Sequence, residues 1–383
     1  MNMNKWTMGL AAVGLVSLPA VAQAEEKLTP VQTALASTVI SGYVNVAAQW
    51  NPGTGNANPP GFVYNSPNKQ DAFSLNVVDL TLAKPLDEGK WSAGYKVELW
   101  LGQDANTFGT QSPIATTGDF AIRQAYVALR APLGNGLDFK LGAFDTILGY
   151  EVHDAGSNPN YTRSYGYTIE PVSHTGLLAT YKFTDALSAN IGVANTHGPK
   201  INENANPPKA ESYKTYMGSL ALTAPEDWGF LAGSTLYGGV INGFSSTVVP
   251  GGENMTSWYA GATVGTPIQE LKTGVAFDYS DIHGGGYAWS IGGYASFQAT
   301  DKLSLHGRGE YLQHSDGDFT FLPSKVVEVT ATVQYDLWAN VLTRLEFRWD
   351  HSADGTEAFG GSSLGEPALK NSYLLAANFI YKF

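Results

Sequence analysis

Apolar and polar residues alternate along most of the chain beyond residue 39. In the segment "WSAGYKVELWL" (91–101), Trp91, Val97 and Leu101 fall on one face, whereas Lys96 and Glu98 fall on the other. The segments "LTRLEFRWD" and "VVEVTATVQY" separate in the same way. A period of two is typical of a β-strand whose two faces meet different surroundings. The sequence therefore predicts an all-β chain.

The connections between these segments alternate between short and long. Short ones such as "PLDEG", "PLGNG" and "TDA" suit tight turns, whereas "NPGTGNANPPGFVYNSPNKQ" and "THGPKINENANPPKAES" are long and polar. Strands of about ten residues, with short turns at one end and long loops at the other, are typical of a transmembrane antiparallel up-and-down β-barrel. We predict about 16 strands, with 14 or 18 as the alternatives if one hairpin is miscounted. The predicted spans are 39–50, 72–85, 89–101, 119–131, 137–146, 173–183, 187–195, 214–223, 228–241, 256–265, 271–281, 287–299, 302–314, 325–335, 341–352 and 371–383.

A soluble β-sandwich is the competing interpretation of the alternation. Its outer face would be charged and its inner face apolar. Here the apolar face carries aromatic residues near strand ends, among them Trp91, Tyr335 and Trp349. Aromatic girdles of this kind lie at the two lipid interfaces of a membrane barrel, so we favour the barrel.

The chain ends on an alternating aromatic strand, "NSYLLAANFIYKF". A barrel without open edges must pair its last strand with its first, which gives Phe379, Tyr381 and Phe383 a lipid-facing position at the seam. A terminal strand that ends in Phe also resembles the signal that the barrel assembly machinery of the outer membrane reads. We predict that these three residues form the assembly signal.

Composition supports export to a membrane and excludes several partners. Residues 1–24 have the charged, apolar and small-residue parts of a signal peptide, which leaves a short periplasmic segment (25–38) and an outer-membrane barrel (39–383). The net charge of -12 argues against nucleic acid, and the absence of Cys excludes disulfides and thiolate sites. Only 15% of residues are charged, which is low for a soluble enzyme. We expect outer-membrane lipid as the surrounding solvent.

Several segments resemble the OmpL-like family of β-barrel porins. They are "SGYVNVAAQWN", "DLTLAKPLDEGKWSAGYKVELWLGQDAN", "IRQAYVALRAPLGNGLDFKLGAFDTILGYE" and "YEVHDAGSNPNYTRSYGYTIEPVSHTGLLATYKFTDALSANIGVANT". The likeness is strong over residues 41–196. Beyond residue 196 it rests on the general features of a barrel sequence. It implies a bacterial outer-membrane porin and names no solute.

The long segment between residues 146 and 172 is the main functional candidate. In sixteen-stranded porins the corresponding loop folds into the barrel and narrows the channel. By that similarity, Glu151, Asp154 and Glu170 would face Arg163 across a constriction, with His153 nearby. An external loop with solvated charges is the alternative.

Charged residues on the predicted inward faces are candidates for the pore lining. They carry both signs in similar numbers: Lys96, Glu98, Lys140, Lys272, Asp278, Arg308, Glu310, Glu328, Arg344, Glu346, Arg348 and Asp350. Such charges are tolerated only when they are hydrated or paired, so a wet lumen is expected. The acidic composition suggests a slight preference for cations.

These observations predict a porin for passive diffusion of ions and small hydrophilic solutes. The alternative is a plugged barrel that acts as a structural or surface-interaction protein. No nucleophile elbow or metal-binding motif is present, so we expect no enzymatic activity, metal or cofactor. Barrels of this size are often trimeric, which leaves a homotrimer as one assembly to test.

Overall fold

The alternating segments form the strands of one closed antiparallel barrel. The structure is a computed structural model that describes residues 37–53, 55–111, 118–205, 212–244, 254–315, 323–362 and 365–383. The predicted signal peptide and residues 25–36 lie outside this range. The strands are β1 (Val39–Trp50), β2 (Phe73–Lys84), β3 (Ser92–Leu101), β4 (Phe120–Ala131), β5 (Leu137–Asp145), β6 (Ser173–Lys182), β7 (Leu187–Ala194), β8 (Thr215–Thr223), β9 (Thr235–Phe244), β10 (Asn254–Gly265), β11 (Leu271–Ile282), β12 (Gly286–Gln298), β13 (Leu303–His314), β14 (Lys325–Trp338), β15 (Val341–Ser352), β16 (Phe359–Gly360), β17 (Ala368–Leu369) and β18 (Asn371–Lys382).

Sixteen of these strands in the described part of the chain form the barrel, each paired with its sequence neighbours, and β18 pairs with β15 and β1. The two-residue strands β16 and β17 pair with each other inside the connection from β15 to β18, and Gly360 of β16 also forms a bridge with Asn58. The prediction of a sixteen-stranded antiparallel barrel is confirmed. In the part of the chain that the structure describes, two α-helices interrupt the connections, α1 (Gln103–Phe108) and α2 (Tyr165–Ile169). Within the described ranges, neither is of a length and hydropathy that could span a bilayer.

The period of two divides each strand between a lipid-facing and an inward face. On β15, Leu345 is 65% exposed, while Arg344 and Glu346 beside it are buried. On β18, Phe379 and Tyr381 are exposed and Ile380 between them is buried. The outward faces are therefore apolar and the inward faces polar, the reverse of a soluble sandwich.

The seam between β1 and β18 includes the terminal residue. The backbone N–H of Phe383 donates to the carbonyl of Gly42 at 3.0 Å, and the N–H of Gly42 donates back at the same distance. A Cβ at Gly42 would lie 2.8 Å from Cζ of Phe383, so the terminal ring needs a glycine beneath it. The first strand therefore provides a place for the ring of Phe383.

One predicted strand boundary is wrong. The span 228–241 places the start of β9 seven residues too early, since β9 begins at Thr235. Residues 229–231 form a 3-10 turn instead, and Gly229 and Gly233 have φ of +61° and +75°. A strand does not accommodate these two left-handed positions, so β9 begins only after Gly233. The apolar residues between the two glycines look like part of the strand in the sequence, which is why the predicted start is too early.

Candidate functional site

The segment between β5 and β6, residues 146–172, lies inside the barrel, and we call it the inward loop. Its two ends are tied by the N–H of Thr146, which donates to the carbonyl of Val172 at 3.1 Å. Its helix α2 contacts the inner faces of β11, β12 and β13. The loop therefore enters the lumen and does not extend into the surrounding solvent.

Charged side chains of β15 bind the backbone of the inward loop in sequence order. Glu346 accepts the N–H groups of Tyr161 at 2.6 Å and Thr162 at 2.8 Å. Two residues earlier on the strand, Arg344 donates to the carbonyl of Ala155 at 3.0 Å and to a second loop carbonyl. Bonds between a charged side chain and a backbone group are among the stronger hydrogen bonds in proteins.

The same series of contacts, which we call the β15 ladder, continues toward the end of β15 at Ser352. Arg348 donates to the carbonyl of Arg163 at 2.6 Å, and Asp350 accepts from the hydroxyl of Tyr165 at 2.8 Å. Arg348 and Asp350 also pair at 2.8 Å, and the ring of Phe62 lies 3.7 Å from the guanidinium of Arg348. Every charge of the β15 ladder is thus engaged with a loop or with a neighbour.

Strand β13 holds the inward loop at two further places. Arg308 pairs with Glu151 of the loop at 2.7 Å and with Glu328 of β14 at 3.1 Å. Glu310 accepts the first two N–H groups of α2, both at 2.6 Å. A carboxylate at a helix N-terminus satisfies donors that have no partner within the helix.

The inward loop also packs on the adjoining wall formed by β9, β11 and β12. Leu148 packs so closely on β9 that a Cβ at Gly239 would lie 2.8 Å from its Cδ2 atom. Tyr150 stacks on Tyr294 with ring centroids 4.0 Å apart, and a Cβ at Gly274 would lie 2.1 Å from its hydroxyl. Glycines on β9 and β11 therefore make room for the loop as it crosses the barrel.

The predicted arrangement of the constriction charges is wrong in one respect. Glu151 and Arg163 do not face each other across an open passage, because both are buried, Glu151 against Arg308 of β13 and Arg163 within the loop and against Tyr64. Arg163 donates to the carbonyl of His153 at 3.0 Å and stands over the rings of Tyr64 and Tyr167. Their burial follows from the strand charges and aromatic rings that surround them, which a loop sequence does not reveal.

His153 and Asp154 lie at the turn of the inward loop and organise it. Nε2 of His153 donates to the carbonyl of Val172 at 3.0 Å, which leaves Nδ1 to accept from the Tyr167 hydroxyl. Burial lowers the pKa of His153 to about 4, so the ring is neutral at pH 7. Asp154 accepts the N–H of Gly156 at 2.8 Å and caps a 3-10 turn over residues 155–157.

Glu170 lies where α2 ends, beside the carboxyl group of Asp278 on β11. Burial and the charge of Asp278 hold the pKa of Glu170 well above its usual range. A Cβ at Gly149, where φ is +116°, would lie 2.4 Å from Oε2 of Glu170. The first and last turns of the inward loop therefore pack together at this carboxyl group.

The connection between β1 and β2, residues 51–72, also folds inward, and the sequence did not predict this. The N–H of Val63 donates to Thr168 of the inward loop at 3.0 Å, and the hydroxyls of Tyr64 and Tyr167 lie 3.1 Å apart. A buried ion pair joins Lys69 to Asp104 at the start of α1. The only signal in the sequence is the apolar triplet "FVY" within an otherwise polar loop.

The wall formed by β3, β4 and β5 carries the remaining predicted lining residues. Glu98 is buried and binds Lys96 at 2.6 Å and Nη2 of Arg123 at 2.7 Å. Arg123 also pairs with Asp145 at 2.9 Å, while Nζ of Lys140 lies 5.0 Å from the ring centroid of Tyr126. Lys96, Glu98 and Lys140 all lie on this wall.

Arg123 is a further candidate for the inner wall of the barrel, and the alternation in the sequence did not reveal it. The register between β3 and β4 shifts after Glu98, which pairs with Gln124, while Leu99 pairs with Ile122. Arg123 is the extra residue of this bulge, so that it and Gln124 are both buried on the inner side. Two consecutive inward residues break the period of two on which the sequence interpretation depends.

Comparison with known proteins gives one family and a consistent set of structures. Residues 37–383 match the model of the family described as "Putative beta-barrel porin-2, OmpL-like". No curated protein matches the sequence significantly. The described structure is similar to that of the outer membrane channel DcaP of Acinetobacter baumannii, with 13% identity, a TM-score of 0.58 and coverage of 90% of this chain and 97% of that one.

Two further barrels are similar at the same level. OmpF of Salmonella typhi, in complex with daunomycin, has 12% identity, a TM-score of 0.60 and coverage of 90% of this chain and 97% of that one. In vitro folded OmpT of Vibrio cholerae in a trimer form has 13% identity, a TM-score of 0.57 and coverage of 90% and 99%. At these identities the likeness concerns the fold.

Proposed function

Because the chain belongs to the OmpL-like β-barrel porin family, we propose that it is an outer-membrane porin through which ions and small hydrophilic solutes diffuse passively. The observation that carries this proposal is a closed sixteen-stranded barrel whose lumen is polar and is crossed by a bound loop. A barrel of about this size encloses an aqueous channel instead of a packed core. Porin families and folds are in general not enzymatic, and we propose no catalytic role here.

In this proposal the inward loop sets the size limit. It is held from β13 and β15 on one side and rests on glycines of β9 and β11 on the other. Glu151, His153, Asp154, Arg163 and Glu170 then act by fixing the shape of the loop. Solutes pass along the surface that the loop leaves free.

Export and assembly follow the same family pattern. We propose that residues 1–24 direct export and are removed, and that Phe379, Tyr381 and Phe383 are read by the assembly machinery. The trimer form of Vibrio cholerae OmpT supports a homotrimer for this chain as well. Cross-linking of the purified protein in detergent tests the trimer, with a band at the monomer mass alone as the contrary result.

The decisive experiment is conductance of the refolded protein in a planar bilayer. We expect discrete current steps, and larger steps when residues 150–168 are replaced by a short Gly-Ser linker. A matched control replaces part of the connection 353–358 between β15 and β16, which lies outside the inward loop. A heat-modifiable barrel that passes no current would overturn the diffusion proposal and favour a plugged barrel that displays loops.

A further inference from the structure

The carboxylates on the loop-binding side of the lumen are occupied. Glu346 and Glu310 accept backbone N–H groups of the inward loop, and Glu151 pairs with Arg308. All of these side chains are buried, with Glu310 at 6% the most exposed. These carboxylates bind the loop or a cation, so they present little negative surface to a passing ion.

The wall on the other side of the lumen has the opposite character. Lys96 on β3 lies opposite Tyr126 on β4, and Lys140 on β5 lies opposite Ala128, two residues further along β4. The two lysines therefore flank the ring of Tyr126, and two strand spacings with a two-residue offset place their Cα atoms about 12 Å apart. Lys140 is half-buried and makes no ion pair with any residue in the described ranges.

Most acids of this wall are set back behind the lysines, and Asp138 on β5, whose side chain is 24% exposed, is paired with Arg130 at 2.6 Å. Glu98 is 2% exposed, whereas the side chain of Lys96 is 25% exposed. Asp79 on the neighbouring strand β2 is also buried and accepts the indole N–H of Trp100 at 3.0 Å. Asp145 is bound by Arg123 at 2.9 Å. The solvent-facing part of the wall is therefore cationic, although acids and bases are nearly balanced in number.

We propose that Lys96 and Lys140 form an anion-binding step in the passage, which makes the channel prefer small anions such as chloride and simple carboxylates over cations. This inference rests on the proposed function and adds its charge preference. It reverses the slight cation preference suggested by the net charge of -12, because that charge includes carboxylates that are bound inside the protein. Two ammonium groups beside an aromatic ring attract an anion without binding it tightly enough to stop its passage.

The chain contains no Cys, so a single cysteine allows the charge at one position to be changed on the folded channel. We would measure the reversal potential in a KCl gradient for the unmodified protein and for Lys140→Cys. The same Lys140→Cys channels are then treated with aminoethyl or sulfonatoethyl methanethiosulfonate, which restore a cation or add an anion. The matched control is Lys272→Cys, an inward lysine near the turn end of β11, opposite Gly265 on β10.

We expect an anion-selective unmodified channel whose chloride-to-potassium permeability ratio falls about twofold or more in Lys140→Cys, the effect of one charge about 8 Å from an ion in water. The aminoethyl reagent should restore the ratio, the sulfonatoethyl reagent should lower it further, and Lys272→Cys should change it less. A conducting channel that is cation-selective, or whose ratio ignores the charge at position 140, overturns this inference alone. A folded barrel without current overturns the proposed function and this inference together.

Discussion

The bond between Glu346 and the inward loop offers the sharpest test of the loop's role. Replacing Glu346 by Ala removes the acceptor of two buried backbone N–H groups, those of Tyr161 and Thr162, and the partner of the Thr332 hydroxyl at 2.7 Å. Each unsatisfied buried donor costs about 1–3 kcal/mol. With two such donors, the bound conformation of the loop should be destabilised by about 4 kcal/mol relative to the released loop. A difference of that size changes the ratio of bound to released loop about a thousandfold.

Two measurements report this change. Hydrogen exchange of the amides in residues 155–166 should become faster in Glu346→Ala, and single-channel current should become larger or noisier. Glu357→Ala is the matched control, since Glu357 is exposed in the connection from β15 to β16 and loses the same charge. If Glu346→Ala keeps both the exchange protection and the current of the unmodified protein, the β15 ladder does not hold the loop and our reasoning fails.

Three further changes test the seam and the two titrating groups of the inward loop. Gly42→Val should reduce the folded, heat-modifiable fraction on refolding, because its Cβ would meet a backbone carbonyl of Asp79 at 2.2 Å and the Phe383 ring. The pKa of His153 falls from its ordinary value of 6.5 to about 4 by burial, so stability present above pH 6.5 is lost as the pH falls toward 4, by about 3 kcal/mol. Urea midpoints at pH 7.5 and 4.5 should differ less in His153→Asn. The pKa of Glu170 is raised, so its contribution to stability is present below its ordinary pKa and is lost as the pH rises. Because Gln cannot ionise, Glu170→Gln should be more stable than the unmodified protein at pH 9.

Each of these three predictions has a clear contrary result. Gly309→Ala is the control for the seam, since a Cβ there would meet nothing within 4 Å, and equal refolding of the two variants would contradict the role of Gly42. Identical pH dependence with and without His153 would show that its neutral form is not required. For Glu170, a Gln variant that is less stable than the unmodified protein at pH 9 would show that the carboxylate is needed in its charged form.

The sequence predicted the barrel well because the relevant signal is local. Alternation over about ten residues sets which side chain faces lipid, and this depends only on the pleat of a strand. The inward positions of Arg308, Glu346 and Lys140 follow directly from it. The start of β9 and the bulge at Arg123 were missed, because a glycine turn and an extra residue interrupt the period.

The sequence predicted which segment forms the site, but not which residues its charged side chains contact. The sequence marked residues 146–172 through their charges and aromatic side chains, yet it placed Glu151 opposite Arg163, whereas Glu151 binds Arg308, 157 positions further along the chain. The partner of a buried charge is chosen by three-dimensional proximity, and nothing in the loop sequence specifies it.

By itself the sequence determined the strands, their lipid-facing sides and the closure of the barrel, since each follows from backbone geometry repeated at short range. Only the tertiary structure decided which charges remain available to solutes. Burial forces the carboxylates of Glu310 and Glu346 to find donors, and the loop backbone supplies them. In our proposal, Lys96 and Lys140 keep contact with water because the loop does not reach them.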